Sequence, residues 1–582
     1  MRRPTRLLFV AALSAVALLT ACQPTAKSSS SSGGTDSAHA IGTPGGTLVI
    51  SSWGGPKTFN PIIENESSSS QFVGFMFAGL TETDAHTGLP KPYLAESWTV
   101  DSSGKVFTFK LRQNLSFNDG SPLRASDVVF TMNRLVLDTT VQCPMRDILV
   151  VGGKVPQIKA LDSLTVEFRL PTQFGPFVAA VGGVSILSEK RLAGKTGVGF
   201  NAVYGIDTPP DSIIGAGPFC LARYESGSRG IFVRNPHWFR KDGAGNKLPY
   251  LDTVLITIVQ DQKAEVLKFK AGEIDIMDVK PQDFPVIKPL ESEGNFTIHK
   301  LGPTLNESFL FFNQNPEKGK SGKPYVDPTK LEWFRDVHFR RAVSWIIDRK
   351  AIRDIVWNGL GTDANGPFSP STGYWWNSKL PPLVRNLDSA QAELKAGGYM
   401  KGTDGKLRDA HGNVVKFSLL TNTENQSRID IAGLIRKDLE SMGIDVVFTQ
   451  IEFNTLVTRL GVTFDWDAIL LGLGGGGAEP HFGANVWVSS GRTHEWYPKQ
   501  PKPATLWEAE LDSLVQAGVT TTDTAARKRS YDRLQAVVHE QQPLVYLGHY
   551  EEMTAVRNRF GNIAPTVLAG TLYNIDEIFV RK

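Results

Sequence analysis

"VVKFSLLTNT" (residues 414–423), "QSRIDIAGLIRKDLESMG" (426–443) and "IDVVFTQ" (444–450) follow one another with almost no connecting chain. The outer runs are short and apolar, as in buried strands. The middle run places Ile429, Leu434, Ile435, Leu439 and Met442 on one helical face, and Gly443 stops it. A strand–helix–strand unit of this kind implies neighbouring parallel strands joined by a right-handed crossover. Working outward, "KVFTFKLRQNLSFNDGSPLRASDVVFTMNRL" (105–135) alternates through Val106, Thr108 and Lys110. It turns at Asn118-Asp119-Gly120 and starts a helix near Ser126. "AARKRSYDRLQAVVHEQQPLVYLGHY" (525–550) reads as helix then strand. The fold class is therefore mixed α/β, with no internal repeat.

The chain of 582 residues is too long for one hydrophobic core, so at least two lobes are expected. Its first residues set the compartment. Arg2, Arg3 and Arg6 form a basic start, and residues 7–19 an apolar run too short to span a bilayer. The run ends in Leu19-Thr20-Ala21-Cys22, which resembles a bacterial lipobox. The expectation is a lipoprotein signal peptide over 1–21, with Cys22 as the lipid attachment site and the protein held outside the cytoplasm. Residues 22–44 carry almost no large apolar side chain and read as a flexible tether with a reach of about 25 Å. Cleavage before Cys22 removes three arginines and no acid, taking the formal net charge from +3 to zero. A neutral mature chain has no electrostatic footprint for nucleic acid. Of three cysteines, Cys143 and Cys220 remain as a candidate disulfide, with two free thiols as the alternative.

Chemistry is conspicuous by its missing parts. In "GLGGGGAEPHFGANVW" (472–487), Gly472, Gly474 and Gly477 match G-x-G-x-x-G. However, Pro480 and Gly483 fall where the helix should begin, and no acid follows about twenty residues on. "AGKTG" (193–197) has Glu189 where a phosphate loop needs glycine, and "HEQQP" (539–543) has proline where a zinc protease needs its second histidine. No G-x-S-x-G elbow occurs. No catalytic residue, metal ligand or cofactor is assigned, and the chain is read as a non-enzyme.

Several blocks in order resemble the solute-binding proteins of bacterial ABC importers, the oligopeptide- and dipeptide-binding family. They are residues 89–134, "GAGPF" (215–219) with "RNPHWF" (234–239), "KAGEIDI" (270–276), "LFFNQNP" (310–316) and "WFRDVHFRRAVSWIIDRKAI" (333–352). "AELKAGGY" (392–399), "MGIDVV" (442–447) and "FDWDAILLGLGGGGAEP" (464–480) continue the series. The resemblance implies two α/β lobes of the periplasmic-binding-protein type, with ligand between them. Lobe I would comprise 45–72, 206–305 and 548–582, an inserted subdomain 73–205, and lobe II 306–547. The implied partners are a membrane ABC permease and a small peptide, or alternatively an oligosaccharide or other small solute. The protein would act as a monomer and meet the membrane only through its lipid. A lipid-anchored hydrolase and a structural surface lipoprotein are the competing classes.

The same resemblance nominates ligand-binding residues. Asn65, Glu66 and Ser67 would face the ligand from lobe I. In lobe II the glycine loop (Gly472, Gly474, Gly476) would let an extended ligand backbone approach closely and pair with the preceding strand. Phe482, Trp487 and Trp375 are candidate stacking residues, among neighbours Tyr374, Trp376 and Trp496. Peptide-binding members carry an amine-binding aspartate where this chain has Gly476. Glu479 is the nearest carboxylate, and either replaces that anchor or caps the turn before Pro480.

Overall fold

In this computed structural model, which describes residues 40–150, 153–474, 477–491, 493–498 and 500–582, the strand–helix–strand unit is Lys416–Asn422, Gln426–Ser441 and Asp445–Ile451. The two strands run parallel over their full length. Asn425 caps the helix by accepting the Arg428 amide at 3.0 Å, and Gly443 (φ 87°) follows its end in the left-handed region. The buried face centres on Ile431, Ala432, Ile435 and Leu439, while Ile429, Leu434 and Met442 are only partly buried. The face is turned from the expected stripe because the helix also packs against Ile352–Val356, beyond its own two strands.

This unit is one edge of a five-stranded sheet, ordered Asp445–Ile451, Lys416–Asn422, Ala468–Leu473, Glu307–Phe312, Leu544–Tyr546. Alternation along "ESFLFF" sends Phe309 and Phe311 to one apolar cluster and Leu310 and Phe312 to another. Both faces of the sheet are therefore covered.

A second sheet carries Phe296–Pro303, His549–Arg557, Ile276–Asp278, Thr47–Ser52, Thr253–Ile258, Arg229–Arg234 and Phe219–Glu225 in that spatial order, with the two-residue strand Gly361–Thr362 also pairing His549–Arg557. A four-stranded antiparallel sheet, drawn from Ala95–Val100, Val106–Leu111, Thr165–Arg169 and Gln157–Ala160, lies between the first and later strands of that sheet in sequence. Its apolar residues join one cluster with those of the larger sheet. Beside this cluster Arg240 pairs with Glu82 and lies near Asp576, which also accepts the Trp238 indole N–H at 3.0 Å.

The chain passes between the two large sheets at residues 304–306 and returns at 547–548. The crossings lie side by side. Thr304 donates its amide to Tyr550 O at 2.8 Å, and Leu547 donates to Ser308 O at 3.0 Å.

The candidate disulfide does not form: Cys143 and Cys220 both stand unbridged. Cys143 is buried in the apolar cluster of the smaller sheet's layer. Cys220 sits on Phe219–Glu225 opposite Val233, with burial pushing its thiol pKa up and Asn118 beside it. Each thiol is accommodated by its own packing, which a residue count cannot anticipate.

Candidate functional site

Between the sheets lies a cavity of about 820 Å³. One wall comes from Ser51, Ser52, Trp53, Ser67, Gln71 and Asp278; the other from Leu305, Asn306 and Gly477. Trp53 presents its indole with 46% exposure. Gln71 reaches Ser51 O at 2.9 Å, and Ser51 donates to Glu265 at 2.5 Å. Burial raises the Glu265 pKa, with the Ser51 hydroxyl pulling the other way. The loop 566–573 forms one side of this cavity and, through Leu568, Ala569 and Tyr573, also lines a neighbouring one of about 510 Å³. A third cavity, of about 250 Å³, adjoins the first at Leu305 and Gly477 and runs into the five-stranded layer.

The layers touch again outside the cavities. His481 Nε2 lies 3.2 Å from Ile148 O, and its ring meets Phe174 edge-on at 5.1 Å. Gly175 donates its amide to Val519 O at 2.8 Å. A side-chain carbon at Gly175 would fall 2.4 Å from Thr521 O, so glycine is what lets the backbones approach.

A family profile for bacterial extracellular solute-binding proteins, family 5 middle, matches residues 90–495. The chain belongs to this family. It is 26% identical over 598 residues to the oligopeptide-binding protein AppA of Bacillus subtilis, with all of both chains covered. It is 25% identical over 541 residues to the dipeptide-binding protein of Escherichia coli, covering 88% of this chain and 90% of that one. Among solved structures, Bacillus subtilis AppA in complex with a nonapeptide superposes with a TM-score of 0.75 at 25% identity, covering 93% of this chain and 100% of that one. The architecture is accordingly the two-lobed α/β fold of periplasmic binding proteins, and the relatives are binding proteins. Among the described residues no helix is long and apolar enough to cross a membrane.

Within this solute-binding protein, the residues nominated from sequence divide sharply. Gly474, Gly477, Glu479, Phe482 and Trp487 line the 250 Å³ cavity, and Ser67 lines the 820 Å³ one. Asn65 is exposed and Glu66 half-buried, and neither lines any of the three cavities. Glu66 instead caps the helix Ser67–Met76, accepting the Ser68 and Ser69 amides at 2.8 and 2.9 Å. Despite its partial burial those bonds hold its pKa below the ordinary value. Gly472 serves packing: a side-chain carbon there would lie 2.4 Å from Glu307 O and 3.2 Å from the Arg428 guanidinium. The strand Ala468–Leu473 pairs throughout with Glu307–Phe312, but with Lys416–Asn422 only at Ala468 and Ile469. Gly476 and Cys22 lie outside the described residues.

Glu479 caps the turn, accepting the His481 amide at 3.1 Å, and is ion-paired with the nearly buried Arg527. Arg527 lies 4.8 Å over the Trp375 ring and donates to Gly518 O at 2.8 Å. Trp375 therefore stands behind Glu479, edge-on to Tyr531 at 5.8 Å, and lines none of the three cavities. Tyr374 stacks edge-on against Trp375, Trp376 donates to Asn365 at 2.9 Å, and Trp496 is fully buried, donating to Glu508 at 3.1 Å.

Sequence reasoning missed Trp53, Glu307, the segment 367–372 and the loop 566–573. Glu307 opens an ordinary-looking strand, yet burial raises its carboxyl to about 8, with the Tyr546 hydroxyl beside it pulling in the opposite direction. Nothing local in "NESFLFF" signals this.

Proposed function

We propose that this protein captures peptides outside the cytoplasm and delivers them to a membrane ABC permease. The observation that carries this reading is the 820 Å³ cavity walled by both lobes, in a chain whose full-length relative is an oligopeptide-binding protein. That volume is within the usual range for small-ligand sites. The Leu470 carbonyl is taken by the Thr421 hydroxyl at 2.9 Å, so it is the half-buried end of the strand at Gly472 and Leu473, together with Gly474, that would offer backbone groups to an extended ligand. Residues 45–72, 206–305 and 548–582, with the insert 73–205, act as one body, and 306–547 as the other. The chain works as a monomer tethered through lipid on Cys22 and performs no chemistry on its cargo.

Native mass spectrometry of protein purified from its own host tests the cargo: co-purified peptides support the reading, and a saccharide or other non-peptide solute overturns it. Intact-mass analysis tests the anchor. The mature wild type should carry a diacylglyceryl-modified Cys22, and Cys22→Ala should be neither acylated nor cleaved at that site. An unmodified cysteine in the wild type ends the lipid proposal.

A further inference from the structure

The 250 Å³ cavity is walled by Leu305 on the crossing and by Pro367, Phe368, Phe482, Val486 and Trp487 of lobe II. Three of these six are aromatic. Its polar side chains are Ser369, Thr372, Asn485 and Thr493, which contribute hydroxyl or amide groups, and two carboxylates, Glu307 and Glu479, are the charged residues of its described lining. Neither offers a free negative charge at neutral pH. Glu479 is committed to Arg527, and Glu307 stays protonated until about pH 8 because it is buried. A charge entering this cavity would give up water and meet no opposite charge on its described walls, so the recess favours an uncharged group.

The cavity meets the interlobe cavity at Leu305 and Gly477, beside Gly474, where the ligand backbone would run. Gly477 holds φ 61°, a conformation that suits glycine, and so keeps the mouth free of a side chain. A mainly apolar recess adjoining a peptide-sized cavity is suited to one side chain. We infer that this recess is a specificity pocket that takes a single large uncharged side chain of the bound peptide, an aromatic ring above all. The inference rests on the peptide reading given above.

The test uses calorimetric titration of the mature protein with trialanine and with tripeptides bearing one Phe, Asp or Lys at each position in turn. At one position Phe should bind at least tenfold more tightly than Ala, and Asp or Lys no better than Ala. Gly483 lines the recess with its nearest neighbour, Trp487 Nε1, 3.9 Å from where a side-chain carbon would stand, so Gly483→Leu fills the space without a backbone clash. This variant should cut the Phe advantage, read as the ratio of Phe-peptide to trialanine affinity in the same protein, below threefold. Thr372→Trp, at another lining position, should do the same and guards against misfolding of the first variant. If peptides bind with no preference for Phe at any position, the pocket is overturned and the peptide reading survives. Equal losses for trialanine and Phe peptides in both variants, with unchanged melting temperatures, also overturn it. If no peptide binds, the peptide reading itself falls, and the pocket falls with it.

Discussion

Two acidic residues in lobe II illustrate how surroundings decide what a carboxyl does. Glu307 holds its proton to about pH 8 in the folded protein, against an ordinary value of 4.5. Between those limits the folded state keeps a proton that the unfolded chain releases, so stability falls as pH rises from about 4.5 to 8 and is flat above. Glu307→Gln removes that slope. The variant should match wild type near pH 5 and exceed it by pH 8 in denaturant melts. Comparison between pH 7 and 9 is cleanest, because burial pushes His481 and His549 down to about 4 and both are silent there. A variant that gains nothing over this range would show the carboxyl to be ionised. Glu479 is instead held in an ion pair with Arg527. Arg527→Ala strands Glu479 with little solvent and should cost roughly 3 kcal/mol, read as a lower urea midpoint. The same ion pair bears on cargo: N-acetylating a bound peptide should weaken it less than about tenfold, since a free amine finds no spare charge at Glu479. A hundredfold penalty that Glu479→Gln abolishes would overturn this.

At the scale of elements, the strand–helix–strand unit was legible because periodicity reports what a segment buries, and Gly443 punctuates it. The helix face was misjudged at Ile429 and Leu434 because a second neighbour, Ile352–Val356, is remote in sequence. The glycine loop was legible as part of the site through Gly474 and Gly477, but Gly472 answers to a strand neighbour. Gly472→Ala should therefore destabilise by about 1–3 kcal/mol through its clash with Glu307 O, whether or not ligand is present. Glu66 and Trp375 carried the right residue types for ligand contact, yet one is consumed by a helix terminus and the other by Arg527. Trp53 and the 367–372 segment escaped because only tertiary folding brings them to a cavity wall. Gly175 is the converse case, a small residue whose purpose appears only where two layers meet. Gly175→Leu should hold the lobes apart and weaken cargo binding by tenfold or more, with the fold of each lobe intact by circular dichroism. Unchanged affinity would show that the contact is incidental to closure.

For the whole molecule, cargo touching both walls of the interlobe cavity selects the closed arrangement. Shifting a population from mostly open to mostly closed needs about 5 kcal/mol of differential binding, and a micromolar ligand supplies about 8 kcal/mol in total. Small-angle scattering should give a smaller radius of gyration with saturating peptide than without it, and an unchanged radius would argue that the lobes do not move. The paired crossings at 304–306 and 547–548 also have a consequence for biogenesis. The strand His549–Arg557 wedges between Phe296–Pro303 and Ile276–Asp278, so the first lobe's sheet stays split until nearly the last residues have emerged. The five-stranded sheet draws every strand from 307–546 and by then lacks only the short pairing of Gly361–Thr362 with His549 and Tyr550 at its margin. Order of assembly thus runs against order of synthesis: the lobe begun first is finished last. A chain stopped before residue 549 should leave a protease-resistant second lobe attached to a first lobe that is digested.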